Sequence, residues 1–467
     1  MSAAEPTYPH ECDPSTKSNV LRMQVTHIDI DWTVHFESST IDGSVVLTAR
    51  SVTEEVTALV LDVNHLNITK VTSVKTGNEL AFSVDEPGAL GSALTIPLTE
   101  DDRDTDTNSF GVQVFYNTTP KGSAVQWLAP SATKDKLAPF CFTQCQAIHA
   151  RSLLPCQDTP TVKATYKANV RCPKGVVAIM SALGNGDEPI AVHSDGSSTF
   201  AFNQPIAMAS YLVALAVGQL VSKPVGPRSA VWAEPSVVDA AAFEFVDTEK
   251  FIATGEQICG PYQWTRYDIL CMPPSFPFGG MENPCLTFAT PTLLAGDRSL
   301  ANVIFHEVAH SWTGNLVTNR TWEHFWINEG WTMFVERKIG AALFGQKFAD
   351  LDAIEGIAEL QEDIDDFGAE HNFSRLIPNL AGDGDPDDAF SSVPYEKGFA
   401  LLKHIEHVVG GPKNMDPFIR AYVVRVKPSN LLFLLLCSFS FYFASRLHCS
   451  WFIHVEQIRP PNNDDNV

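Results

Sequence analysis

The segment HEVAHSWTGNLVTNRTWEHFWINEG, beginning at His306, places two histidines four residues apart and a glutamate, Glu329, with 18 residues between it and the second. Positions i and i+4 of a helix share one face, so His306 and His310 can aim their imidazoles at one point. If Glu329 joins them, the chain must build a second helix and pack it against the first, and no other feature restricts the fold as tightly. Glu307, beside the first histidine, falls near that point without being forced onto it, where a general base for a metal-bound water belongs. Two histidines and a glutamate that leave one position open form the ligand set of a catalytic zinc. Each histidine alone would read as a surface or satisfied core residue; the four together rarely arise by chance.

A second stretch, GGMENP from Gly279 to Pro284, bears on where such a centre would cut a peptide. A free N-terminus is an ammonium, and a carboxylate held just beyond the metal would select it, which makes Glu282 a candidate. Gly279 and Gly280 would let a backbone approach closely. By itself the stretch would pass for a Gly/Pro turn.

Around these residues the chain divides by pattern. From about Val20 to Gln219 it runs as short alternating or β-branched segments such as MQVTHIDIDWTVHF, SVVLTARSV, SALTIPL and GVQVFY, punctuated by Gly, Asp, Asn and Pro, which predicts an all-β region. Beyond it, AAAFEFVDTEKFIATGEQICG predicts a helix ending at Gly260, SLANVIFHEVAHSWTGN one stopped by Gly314 and Asn315, TWEHFWINEGWTMFVERKIG one ending near Gly340, and PYEKGFALLKHIEHVVGG one ending at Gly410. YDILCMPPSFPFGGMENPCLTFATPTLL reads as strands around a loop. The fold class is therefore multidomain α+β: a β domain over 1–219, a mixed catalytic domain over 220–425, and an atypical apolar tail over 426–467.

Composition narrows the partners. Fifty-five acidic residues against 32 basic ones give a net charge of −23 with no basic stripe, which argues against nucleic acid. The N-terminus lacks a basic start and apolar core, so a cytosolic protein is expected, its ten cysteines reduced and its sequons at Asn67, Asn117, Asn319 and Asn372 unused. In the tail the uninterrupted apolar run, Leu431 to Ala444, is 14 residues, short of the roughly 20 that span a bilayer, so a membrane anchor is not expected.

PSFPFGGMENP, HEVAH and NEG together resemble the M1 zinc aminopeptidases, and QCQAIHARSLLPCQDTP, GGMENPCLTFATPTLLAGD and SSVPYEKGFALL resemble the branch of that family that includes leukotriene A4 hydrolase. The likeness runs from about Val20 to Val424. It implies an N-terminal β domain, a thermolysin-like (gluzincin) catalytic domain and a C-terminal helical domain, the last expected to be missing here. It implies one zinc held by His306, His310 and Glu329, with Glu307 as general base and Glu282, in the segment that begins Gly279–Gly280–Met281, receiving the substrate amine. Tyr395 would stabilise the oxyanion, Gln146 would line the substrate site, and Asp387 resembles an aspartate that directs water onto a lipid epoxide. The implied partners are peptides with a free N-terminus and a lipid epoxide. Phe390 stands where vertebrate-type lipid hydrolases carry a tyrosine, which weakens the epoxide expectation. Two rivals stay open: a zinc endopeptidase, which would have no use for Glu282, and a truncated, poorly active form acting at most as a binder.

Overall fold

The computed structural model describes residues 13–53 and 58–425. The tail over 426–467, and with it the expectation of a missing third domain, lies outside the described residues.

Alternation builds the first part of the chain. In Met23–His35 the buried residues are Met23 and Val25, then Ile28, Ile30, Trp32 and Val34. The phase slips once because the pairing with Thr40–Ser51 shifts register between Val25 and His27, a bulge that restores the apolar side chains to the core face. This strand also pairs in parallel with Lys163–Cys172, at the centre of a nine-stranded sheet. A three-stranded sheet around Ser92–Pro97 and a four-stranded sheet around Leu215–Gly218 complete the β-rich part, as expected.

A five-stranded sheet follows, in the order Val221–Pro224, Ala230–Ala233, Asp268–Cys271, Leu286–Ala289, Gly280–Met281. The first two strands fall where the sequence pattern gave no strand. The inner pairs are parallel and the sheet is covered on both faces, so its strands read as unbroken apolar runs rather than as alternation. The two faces still separate cleanly. Trp232, Leu270, Leu286 and Phe288 pack into the core of the β-rich part, whereas Val231, Ile269, Cys271 and Ala289 pack against the helices.

Those helices are α1 (Val238–Glu244), α2 (Thr248–Cys259), α3 (Asn302–His310), α4 (Trp326–Phe344), α5 (Gln346–Phe367), α6 (Gly398–Val408) and α7 (Pro412–Arg425). Several differ from expectation. The single helix expected up to Gly260 is two, broken at Phe245–Asp247, although Gly260 does end it with φ 100°. Helix α3 stops at His310, four residues before Gly314, and α4 runs on to Gly345. Helix α5 was not anticipated, because its exposed apolar residues Leu351, Ile354 and Ile357 face away from the core. Among the described residues no helix is long and apolar enough to cross a membrane. The seven described cysteines are all unpaired and buried.

Candidate active site

Helix α3 is fixed by Ile304, Phe305, Val308 and Ala309, which are buried in the helical core, and this turns His306, Glu307 and His310 the other way. Helix α4 is buried along nearly its whole length, so Glu329 reaches the same point from the opposite side. The Nε2 atoms of His306 and His310 are 3.1 Å apart. Glu329 Oε2 lies 3.3 Å from that of His310 and 3.6 Å from that of His306.

The outer nitrogens decide what this cluster can hold. His306 Nδ1 donates to Glu336 Oε2 at 2.8 Å and His310 Nδ1 to the Thr313 carbonyl at 3.0 Å, with Thr332 Oγ1 3.1 Å away. With its proton on Nδ1, each neutral imidazole turns its Nε2 lone pair inward, beside a carboxylate oxygen. Three such donors within 4.8 Å of one another suit a cation. Without one, they are reconciled by protonation. Burial opposes a charge on His310, but Glu329 and Glu282 outweigh it and hold the ring at about 9, and the imidazoles in turn outweigh burial to bring Glu329 down to about 2. The residues fit a zinc ion.

Two further buried carboxylates face this point. Glu307 is 5% exposed, its Oε2 has no hydrogen-bond partner, and burial pushes its carboxyl up to about 8. It packs so closely on Gly280 that a Cβ there would overlap its carboxylate. Glu282 is equally buried, which raises its pKa, and Gln146 Nε2 donates to its Oε1 at 3.2 Å. The Asn315 amide donates to the Glu282 carbonyl at 2.7 Å, pinning the segment in place. Gly280 and Met281 form the last strand of the five-stranded sheet, paired only with Leu286–Ala289, while Gly279 is exposed beside them.

Tyr395 enters through a single π-helical turn, Val393–Lys397, just before α6. Helices α4 and α6 approach closely at Gly330 and Gly398, where a Cβ on Gly330 would come within 2.6 Å of the Gly398 Cα. The contact sets the Tyr395 ring over His306, with centroids 6.1 Å apart and planes 25° from parallel, and burial, with Glu329, Glu282 and Glu307 adding to it, raises the pKa of its hydroxyl.

A cavity of about 510 Å³ adjoins the centre through Gln146, Phe325 and Pro394. Its walls are mostly apolar, including Phe142, Phe278, Trp322 and Phe373. Asp387 lies at its surface, and Phe390 lines it with its ring against Phe278 and Tyr395. The structure thus brings His306, His310, Glu329, Glu307, Glu282, Gln146 and Tyr395 together and leaves Asp387 on the cavity wall. Sequence reasoning missed Glu336, though its place seven residues after Glu329, two turns along one face, could have flagged it. It also missed His149, which only the tertiary structure brings to Asp387.

Residues 24–212 match the model of the peptidase M1 N-terminal domain, and residues 243–437 that of the peptidase family M1 domain. The chain is 45% identical over 415 residues to leukotriene A-4 hydrolase of Xenopus laevis, covering 88% of this chain and 67% of that one. It is 44% identical over 423 residues to leucine aminopeptidase 2 of Neosartorya fischeri, covering 90% and 67%. Native yeast LTA4 hydrolase superposes with a TM-score of 0.85 at 41% identity, over 94% of this chain and 68% of that one. The same yeast enzyme is also known in complex with bestatin.

Proposed function

This chain belongs to peptidase family M1, a family of zinc metallopeptidases, and from that premise we propose that it removes N-terminal residues from peptides, with one zinc bound by His306, His310 and Glu329. When bound, the metal supplies Lewis acidity toward a carbonyl oxygen and toward water.

The chain's own residues do the rest. Glu307 takes the proton of the attacking water and returns it to the leaving amine, a role suited to a buried carboxylate whose Oε2 has no other partner. The Tyr395 hydroxyl, held over His306, donates to the oxygen that gains charge as the carbonyl is attacked. Gly279, Gly280 and Met281 align the peptide backbone along the last strand of the sheet. The catalytic domain, 220–425, carries these groups, and the β domain, 1–219, contributes Gln146 from across the cleft. The buried free thiols suit a reducing compartment such as the cytosol.

The observation that carries an aminopeptidase over an endopeptidase is Glu282. The ligand atoms of Glu282, Glu307 and His310 also lie within 4.8 Å of one another, but Glu282 stands outside the two-histidine set of His306, His310 and Glu329, and a carboxylate this buried that accepts the Gln146 amide is left to receive an ammonium. The test compares alanyl or arginyl p-nitroanilide with its N-acetyl counterpart, with and without a chelator, for the chain and for Glu282→Ala. Chelator-sensitive cleavage of the free-amine substrate alone, lost on substitution, is expected. Equal cleavage of both substrates by the unmodified chain would overturn the assignment.

A second reading, lipid-epoxide opening, draws on the apolar cavity and on Asp387 at its wall. It is checked by incubating the chain and Asp387→Asn with leukotriene A4 and separating the diols; a product independent of Asp387 would reject it.

A further inference from the structure

The loop that follows α3 is fastened by side chains from the β-rich part of the molecule. Lys163 opens the strand Lys163–Cys172 and pairs with Ala209, the last residue of Ser198–Ala209 and two before Tyr211. Strand register thus places Lys163 and Tyr211 at one end of the nine-stranded sheet. Lys163 Nζ donates to the Asn315 carbonyl at 3.1 Å and to the Leu316 carbonyl at 2.9 Å. The Tyr211 hydroxyl donates to the Gly314 carbonyl at 3.3 Å, and Thr161 Oγ1 to the Arg320 carbonyl at 2.6 Å. Gly314, at φ 114°, turns the chain away from α3 at the point where these contacts begin.

The same loop touches the metal centre at two points, and these are anchored differently. The Thr313 carbonyl accepts His310 Nδ1, and Thr313 is tied to α4, since Thr332 Oγ1 lies 2.8 Å from both its carbonyl and its hydroxyl. Asn315, 2% exposed, donates its side-chain amide to the Glu282 carbonyl at 2.7 Å. Its own N–H reaches back to the His310 carbonyl at 3.1 Å, while its carbonyl is received by Lys163 and, at 3.4 Å, by the Thr318 hydroxyl. Among the described residues no carboxylate pairs with Lys163, and burial pushes its ammonium down to about 7. An ammonium carries three N–H donors and an amine two, so both carbonyls are served in either form and the contact does not hinge on the proton.

We propose that Lys163 is a positioning residue for amine recognition, holding the Asn315–Leu316 peptide from the β-rich part so that the Asn315 amide keeps Glu282 in place to receive the substrate amine. It touches no reacting atom and acts through Asn315. Gln146 reaches the side chain of Glu282 from the β-rich part, and Lys163 adds a second link from that part, to its backbone. Without Lys163 two carbonyls lose this donor and the loop shifts, which weakens the hold on an ammonium. His310 stays in place through Thr313 and Thr332, and His306 through Glu336, so zinc binding and the proton transfers by Glu307 are unaffected. The loss therefore falls on KM and not on kcat. This role rests on the aminopeptidase reading, because it concerns the group assigned there to the amine.

The experiment uses the full chain loaded with zinc and measures, by isothermal titration calorimetry, the binding of leucine hydroxamate and of its desamino counterpart, 4-methylpentanoyl hydroxamate. Both present the same metal-binding group and only the first carries an α-amine, so the ratio of their Kd values reads the amine contact. In Lys163→Met the Kd of leucine hydroxamate is expected to rise roughly threefold to tenfold, the scale of one displaced charge-assisted hydrogen bond. The Kd of the desamino compound and the zinc affinity in a chelator competition are expected to stay unchanged. Hydrolysis of alanyl p-nitroanilide is expected to show the same factor in KM, with kcat little changed. In an Asn315→Ala background, Lys163→Met is expected to move the Kd ratio no further. A ratio that Lys163→Met leaves as it was, equal weakening of both hydroxamates, or a further change in the Asn315→Ala background overturns the role. Failure of both Lys163→Met and Lys163→Gln to fold, read by circular dichroism, also overturns it, since Lys163 would then be a requirement of the fold alone. Equal binding of the two hydroxamates by the unmodified chain overturns the aminopeptidase reading, and this role with it.

Discussion

Glu336 Oε2 lies 2.8 Å from Nδ1 of His306 and is itself buried on α4, two turns beyond Glu329. One helix therefore supplies both a ligand to the candidate zinc and the group that fixes the tautomer of a second ligand. Removing such an outer partner typically costs about 10- to 100-fold in metal affinity. Glu336→Ala, which leaves His306 Nδ1 without this acceptor, is expected to weaken zinc retention by that factor in a competition titration with a chromophoric chelator, with the circular dichroism spectrum unchanged. Unaltered affinity would mean that the Glu336 contact does not orient the ring.

Gly280 is the counterpart on the sheet side, since a methyl group there would occupy space now filled by the Glu307 carboxylate. Its backbone does not need glycine's conformational freedom, because its φ is not positive. Gly280→Ala is therefore expected to fold normally while displacing the general base. A displacement of about 1 Å can cost on the order of 10²-fold in rate. A kcat/KM that falls by that order with the melting temperature held would bear this out, and an unchanged kcat/KM would show that Glu307 has room to move.

Much of this was legible in the sequence, and the exceptions have physical causes. The strand Met23–His35 shows its alternation because one face is less buried than the other, and the HEVAH helix shows its face because the ligand spacing equals one turn. Ala230–Ala233 shows nothing, since a strand buried on both faces has no polar phase. Helix α5 hides for the opposite reason, with only Ala349 and Gly356 buried and its larger apolar residues turned outward. The zinc ligands are encoded by spacing along the chain. Glu282 was reached from its Gly-flanked stretch, Gln146 and Tyr395 by resemblance, and the pairing of His149 with Asp387, 238 residues apart, has no local signal.

The turn that carries Tyr395 is anchored by a buried ion pair. Arg337 donates from Nη1 and Nη2 to the two oxygens of Glu396 at 2.8 Å each, and from Nε to Asp352 Oδ2 at 2.6 Å. Gly356 leaves the space that the Glu396 carboxylate occupies. Breaking one side of such a pair strands the other charge and typically costs about 3 to 5 kcal/mol, whereas replacing both with apolar residues costs far less. Arg337→Met is expected to lower unfolding stability by that amount in urea titrations, and Arg337→Met with Glu396→Met to recover most of it. A double variant no better than the single one would show that Asp352 and the packing, rather than the stranded Glu396 charge, set the cost.

Asp13 provides a pH dependence remote from the metal centre. It is 2% exposed, accepts the Ser15 N–H at 3.0 Å and the Thr159 hydroxyl at 2.8 Å, and burial outweighs both to push its pKa up to about 6. In the unfolded chain the value is about 3.9, so between about pH 4 and 6 the folded state binds more protons than the unfolded one. The Asp13 contribution to stability is then greatest below about pH 4, is lost as the pH rises through 6, and leaves a buried charge above it. Asp13→Asn keeps an acceptor for Ser15 and removes the titration. Two pKa units at about 1.36 kcal/mol each set the scale, so the variant is expected to gain about 2 to 3 kcal/mol on the unmodified chain between pH 4 and pH 7, measured by urea unfolding at both. A stability difference that stays constant with pH would show that Asp13 titrates alike in the folded and unfolded states.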